Sequence, residues 1–234
     1  MLGRLLKYLL HAILIRPLLQ LYLGLNVKYS SHWETYWPPK GPAIIIANHN
    51  SHLDTLVIES LFPYGLLYRI RSIAAADYWL KNKYLAWFAV SVMRIIPVKR
   101  GSGRDGSDPF ADVHDVLRCG GIVIIYPEGE RGQPEQQGTI KKGITYLMQQ
   151  HPDVPVIPMH LYGAGKAQCR VSKWWQHIPL PFIIDVVVDE PIRSRVEFHD
   201  LKSPEAAAAR GEIHALVVDR FAALSARNSR GAWV

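Results

Sequence analysis

Residues 48–54 read Asn-His-Asn-Ser-His-Leu-Asp and follow directly on the apolar run Ala43–Ala47. A strand-like segment that empties into histidines and a carboxylate sets a titratable base beside an acid that can orient it. Where a strand gives way to a helix the chain reverses direction, so His49 can meet Asp54 across the turn. The carboxylate then keeps one ring nitrogen protonated and leaves the other to take a proton from a hydroxyl. No serine or cysteine nucleophile is needed if that hydroxyl belongs to a substrate. Ser51 and Asp54 also fit a Ser-x-x-acid capping box, in which hydroxyl and carboxylate bond free N–H groups at a helix start. That reading accounts for both residues and leaves His49 unexplained.

A second stretch, residues 120–143, carries a buried-looking strand into Tyr126-Pro127-Glu128-Gly129-Glu130-Arg131-Gly132, with Lys141 and Lys142 a short loop later. Gly129 lets backbone approach a ligand closely, Arg131 can hold a phosphate through two parallel bonds, and Glu128 can accept hydrogen bonds from sugar or glycerol hydroxyls. The bland alternative is an exposed charged turn. A metal reading competes at the first stretch, because His52-Leu53-Asp54 matches half of the His-x-His-x-Asp-His cluster of metallo-β-lactamase-like hydrolases. Asn50 and Thr55 stand where further ligands are required, so no metal is expected.

These residues need elements to position them. At 234 residues and 49% apolar composition, the chain is long enough for one substantial core. Strands are expected at 43–47, 67–74, 95–98, 122–126, 154–162 and 182–188, with helices near 52–62, 78–92, 109–119, 139–150 and 203–226. That alternation predicts an α/β fold: one domain with a mixed, mostly parallel sheet flanked by helices, whose sites gather where strands end and helices begin. The Trp and Tyr residues scattered through the chain, singly, read as core packing. The Trp174-Trp175 pair beside Arg170 and Lys173 reads equally well as a membrane contact.

Residues 1–25 form a unit apart from the domain at 26–234. Arg4, Lys7, His11, Arg16 and Gln20 interrupt a leucine-rich run, which argues against a simple spanning helix and against a removed signal peptide. Arg4, Lys7 and His11 share one helical face. The expectation is an amphipathic helix lying in a membrane interface with its bases toward lipid phosphates, bent or restarted at Pro17. A formal charge of +7 favours phosphate-bearing partners. Two cysteines without CxxC spacing support neither a disulfide framework nor a zinc site.

The order Asn48-His49-x-Ser51-x-x-Asp54, Ile96-Pro97-Val98-Lys99-Arg100, Tyr126-Pro127-Glu128-Gly129-x-Arg131 and Val154-Pro155-Val156-Ile157-Pro158 resembles the glycerolipid acyltransferases typified by 1-acylglycerol-3-phosphate acyltransferase. The resemblance covers residues 43 to about 160. It implies His49 as general base and Asp54 as its orienter, with Arg100, Glu128, Gly129 and Arg131 at the acceptor and no role for His52. It implies acyl-CoA or acyl carrier protein as thioester donor, a lysolipid or glycerol phosphate acceptor, and neither metal nor prosthetic group.

Where many members carry a Val-Ala-Lys-Lys-Glu-Leu type segment, this chain reads Ile73-Ala74-Ala75-Ala76-Asp77-Tyr78, and Glu130 and Gly132 replace the usual Thr and Ser. Lys99 or Lys142 is the expected substitute cation, and a different acceptor, such as the lyso form of an amino-acid lipid, is the alternative. The expected setting is the cytoplasmic face of the cell membrane, with the bilayer as partner. A non-catalytic basic protein that binds anionic lipid or nucleic acid is the rival class. Nucleic acid is not expected, since it calls for bases interleaved with aromatics along one face.

Overall fold

The computed structural model describes residues 2–51, 53–98, 108–130, 138–164, 182–193, 201 and 203–229. Seven strands form one sheet in the order β1-β7-β6-β2-β5-β3-β4. They are β1 (Leu23–Tyr29), β2 (Ala43–Ala47), β3 (Ile70–Ala75), β4 (Ile96–Val98), β5 (Ile122–Ile125), β6 (Val156–Tyr162) and β7 (Phe182–Val188). β7 runs antiparallel to β6, and every other neighbouring pair is parallel. The expected α/β architecture with a mostly parallel sheet is the one observed.

β2 lies between β5 and β6, and all five of its residues are buried. Its side chains alternate between two cores, as strand geometry requires. Ala43, Ile45 and Ala47 pack with Val57, Phe62, Leu19 and Ile15 on one face. Ile44 and Ile46 pack on the other with Val113, Leu117, Ile144, Leu147 and Phe221. The first face is covered by the N-terminal helix and α3 (Leu53–Ser60), and the second by α6 (Ala111–Arg118), α7 (Gly143–Gln150) and α8 (Pro204–Ser229). A sheet wrapped on both faces explains why β2 and β5 are continuous Ile and Val runs.

The helix expected over 78–92 is three pieces: α4 (Ala76–Trp79), α5 (Lys83–Trp87) and a π-helical turn, Phe88–Val92. Asn82 interrupts it, because its side chain caps α5 by accepting the Tyr84 N–H at 2.8 Å. The strand expected from Leu67 begins at Ile70, after a 3₁₀ turn over Tyr64–Arg69.

The N-terminal segment departs most from expectation. It is helical from α1 (Leu2–Leu9) through a π turn (Leu10–Ile15) to α2 (Arg16–Tyr22). The wider turn puts the Arg16 N–H on the His11 carbonyl, so the helix passes Pro17, which has no N–H, without breaking. Of the three bases expected on one face, Arg4 is exposed, whereas Lys7 and His11 do not face outward. Lys7 and His11 are fully buried on one carboxylate, with Lys7 Nζ 2.6 Å from Glu59 Oε1 and His11 Nε2 2.9 Å from Glu59 Oε2. Lys7 Nζ also donates to the carbonyls of Ile70 and Met93. The outward face is apolar instead: Leu2, Leu5, Leu9, Ile13, Leu14 and Leu18 are exposed. An amphipathic helix is present with its polar stripe turned inward, because Glu59 at the end of α3 offers those bases a partner inside the protein.

β1 starts at Leu23, so a boundary after residue 25 cuts a strand of the sheet. Among the described residues, no helix is long and apolar enough to cross a membrane.

Candidate active site

The carboxyl ends of β2, β5 and β6 converge on residues 48–54. Asn48 is buried, and its carboxamide bridges Leu161: Nδ2 donates to the Leu161 carbonyl at 2.8 Å and Oδ1 accepts the Leu161 N–H at 2.7 Å. The side chain prolongs the β2–β6 ladder beyond the Ala47↔Met159 pair and fixes where His49 leaves the sheet.

His49 Nδ1 lies 3.1 Å from Asp54 Oδ2. The same oxygen accepts the backbone N–H groups of Asn50 at 2.7 Å and Ser51 at 2.8 Å. The Ser51 hydroxyl accepts the Leu53 N–H at 3.1 Å. The carboxylate half of the capping box is therefore formed, while the hydroxyl serves Leu53 rather than Asp54. Because these bonds fasten the Asp54 carboxylate to the backbone of the loop that precedes α3, it is held facing the imidazole. The Asp54 side chain is 1% exposed and that of His49 is 20% exposed, so the acid is sealed and the ring reaches the surface. With Nδ1 committed to Asp54, Nε2 is the nitrogen left for another group.

Tyr126, at the end of β5, holds the imidazole from its face. The ring centroids are 4.0 Å apart and the planes 17° from parallel. The tyrosine is fixed in turn by a 2.6 Å hydrogen bond between its hydroxyl and Thr55 Oγ1. Burial, then the Asp54 charge, pushes the phenol well above its ordinary pKa, so it stays neutral.

Glu128 is buried beside this pair, 3% exposed, and neither carboxylate oxygen has a hydrogen-bond partner among the described residues. Burial raises its pKa, and the backbone amides of His49 and Gly138, near the carboxylate but short of hydrogen-bond geometry, pull it the other way. Gly129 follows with φ +74°, a left-handed conformation that glycine adopts without strain. A Cβ there would lie 2.8 Å from Lys141 Nζ.

Of the residues singled out from sequence, His49, Asp54, Glu128 and Gly129 come together. Arg100, Arg131, Lys99 and His52 lie outside the described residues, as does the Trp174-Trp175 pair. Lys142 is exposed at the start of α7, its carbonyl accepting the Thr145 hydroxyl at 2.7 Å. The lysine set against Gly129 is its neighbour Lys141, whose N–H bonds the Pro127 carbonyl at 2.8 Å. Asn48 and Tyr126 are functional candidates to which the spacing of residues assigned no role, although both stand inside the motif blocks. Among the described residues no group of three or more His, Cys, Asp or Glu is arranged to hold a metal ion.

A model of the acyltransferase family matches residues 28–162. The chain is 30% identical over 125 residues to the chloroplastic 1-acyl-sn-glycerol-3-phosphate acyltransferase of Brassica napus, a match covering 53% of this chain and 34% of that protein. It is 26% identical over 144 residues to the 1-acyl-sn-glycerol-3-phosphate acyltransferase of Saccharomyces cerevisiae, covering 60% of this chain and 44% of that protein. The matched stretches thus span about a third to under a half of these curated relatives. The crystal structure of the 1-acyl-sn-glycerophosphate acyltransferase PlsC from Thermotoga maritima superposes with a TM-score of 0.64 at 19% identity, covering 97% of this chain and 80% of that one. That likeness is one of fold.

Proposed function

The chain belongs to the acyltransferase family, and from that premise we propose that it moves a fatty acyl group from a thioester to a hydroxyl of a lysophospholipid or glycerol phosphate type acceptor. The observation that carries the reading is the Asp54-held imidazole of His49, stacked on Tyr126 at the carboxyl end of β2, with its second nitrogen unbonded among the described residues. In this reading the acceptor hydroxyl gives its proton to His49 Nε2 while its oxygen attacks the thioester carbonyl carbon. The C–S bond then breaks, and the thiolate leaves with the proton held by the imidazolium. Asp54 accepts from Nδ1–H throughout and steadies the cation. A thiolate is a good leaving group, so no covalent enzyme intermediate is needed. Acyl-CoA and acyl carrier protein are the donor classes.

Glu128, buried and without a well-formed hydrogen bond among the described residues, is placed to accept a hydrogen bond from a second acceptor hydroxyl, and Lys141 beside Gly129 supplies a cation for the acceptor phosphate. The exposed leucine face of α1 and the π turn supports attachment to a bilayer surface. The soluble thioester donors favour its cytoplasmic side.

Acyl transfer from labelled acyl-CoA to a panel of lysophospholipids and glycerol phosphate tests this reading and selects the acceptor. His49→Ala is expected to lower turnover by about 10²–10⁴-fold with the fold intact, the usual worth of a positioned base. Turnover near that of the unaltered protein removes His49 from this role.

A further inference from the structure

The opposite edge of the sheet carries a second constellation. The amino ends of β3, β4 and β5, at Arg71, Ile95 and Gly121, open on a cavity of about 630 Å³. It lies at the other end of the strands from His49. Arg4, Arg69, Arg71 and Arg94 line it. Arg69 is already occupied, its guanidinium donating to the carbonyls of Gly120, Lys40 and Gly41. Arg4 lies over the Tyr68 ring at 5.2 Å.

Arg71 and Arg94 have neither a carboxylate nor a hydrogen-bond partner among the described residues, and Arg94 Nε is buried without one. Acids on the cavity wall do not balance these charges. Asp115 is 2.5 Å from Arg118, which leaves Asp112 alone among the lining residues.

Backbone geometry holds the arginines together. Arg94 has φ +60°, a left-handed conformation costly for a residue with a side chain. Gly3 brings α1 so close to the π turn Phe88–Val92 that a Cβ would collide with the Ser91 carbonyl. Burial, then the charges of Arg71 and Arg4, presses the Arg94 guanidinium below its ordinary pKa. Planar guanidinium forks match phosphate oxygens. The rim is apolar at Val90, which is exposed, and Leu2 and Leu5 stand exposed on the helix that brings Arg4 to the cavity.

We propose that this arginine-lined cavity binds the phosphate of an anionic phospholipid headgroup, with the acyl chains lying over the exposed leucine face of the N-terminal helix, as a site separate from the acyl-transfer centre. Phosphate fills the gap between Arg71 and Arg94, and the adjoining apolar rim selects a lipid over a free anion. The inference does not depend on the acyl-transfer reading.

The test is co-sedimentation of the full chain with phosphatidylcholine vesicles, with and without phosphatidylglycerol. The unaltered protein is expected to prefer the anionic vesicles. Arg71→Gln/Arg94→Gln should lose about tenfold or more of that affinity with neutral-vesicle binding unchanged, whereas Arg71→Lys/Arg94→Lys should retain most of it. His49→Ala should bind as the unaltered protein does, which separates this site from the catalytic one. Arg71→Gln alone, on strand backbone, gives the same readout if the double variant fails to fold. Anionic-vesicle binding that survives both glutamine variants overturns the proposal, as does an equal loss on removing the distant charges of Lys40 and Arg193. Inorganic phosphate bound through the same arginines, without any vesicle preference, overturns the headgroup assignment.

Discussion

Asp54 gathers three donors on a single oxygen: the His49 ring and the N–H groups of Asn50 and Ser51. Its other oxygen, Oδ1, is buried with no partner among the described residues. An acid so constrained orients the imidazole in its plane, and Tyr126 then fixes the ring's tilt. Tyr126→Phe keeps the stacked face and loses only the Thr55 bond, so stability should fall by about 1 kcal/mol and turnover by no more than a few-fold. Tyr126→Leu removes the flat support, and turnover should drop by about tenfold or more, read by steady-state kinetics beside a thermal melt. The His49–Asp54 meeting was legible in the sequence because one tight turn joins the two residues. The tyrosine's part was not, since it requires β5 to lie beside β2, a pairing between segments about eighty residues apart. The choice of Lys141 over Lys142 was equally hidden, because it depends on which N–H reaches the Pro127 carbonyl.

At the scale of elements, the buried strands were legible as Ile and Val runs, and their carboxyl ends correctly marked where polar residues gather. β1 escaped notice although Leu23, Leu25, Val27 and Tyr29 alternate with Gly24, Asn26 and Lys28. The leucine-rich helix before it runs into the strand without punctuation, so the change from helical to strand period has no residue to announce it. The orientation of that helix was illegible for a different reason. A stripe of bases points to water or phosphate unless a carboxylate waits inside, and Glu59 lies 52 residues away from Lys7.

A further joint, between β6 and α8, carries a pH dependence. Asn228 Nδ2 lies 3.1 Å from His160 Nδ1 and donates to the His160 carbonyl at 3.0 Å. Burial lowers the His160 pKa from 6.5 to about 4. The unfolded chain therefore binds a proton that the folded one refuses, and stability is lost as pH falls from about 6.5 through about 4. The full effect is on the order of 3 kcal/mol. His160→Gln should flatten that part of the stability profile, measured as denaturant midpoint against pH.

For the whole molecule, charge and apolar surface act together. In the proposed bilayer attachment, the formal charge of +7 is the attraction toward an anionic surface and the outward leucine face is what becomes buried there. Leu5 and Ile13 are 55% and 72% exposed, so replacing them leaves the folded core untouched. Leu5→Glu/Ile13→Glu should weaken vesicle binding by about tenfold or more, at about 1.5–3 kcal/mol of burial per side chain, while the melting temperature stays within a degree or two. The pairing of β1 with β7 sets Leu23 against Phe182 and Tyr29 against Val188, and Lys7 must find Glu59. The leucine-rich helix and β1 are thus settled only once partners far along the chain, Glu59 and β7, are in place. Until then the helix has its leucines and its unanswered bases both in the open, which makes it a segment that a chaperone or a membrane surface would shelter.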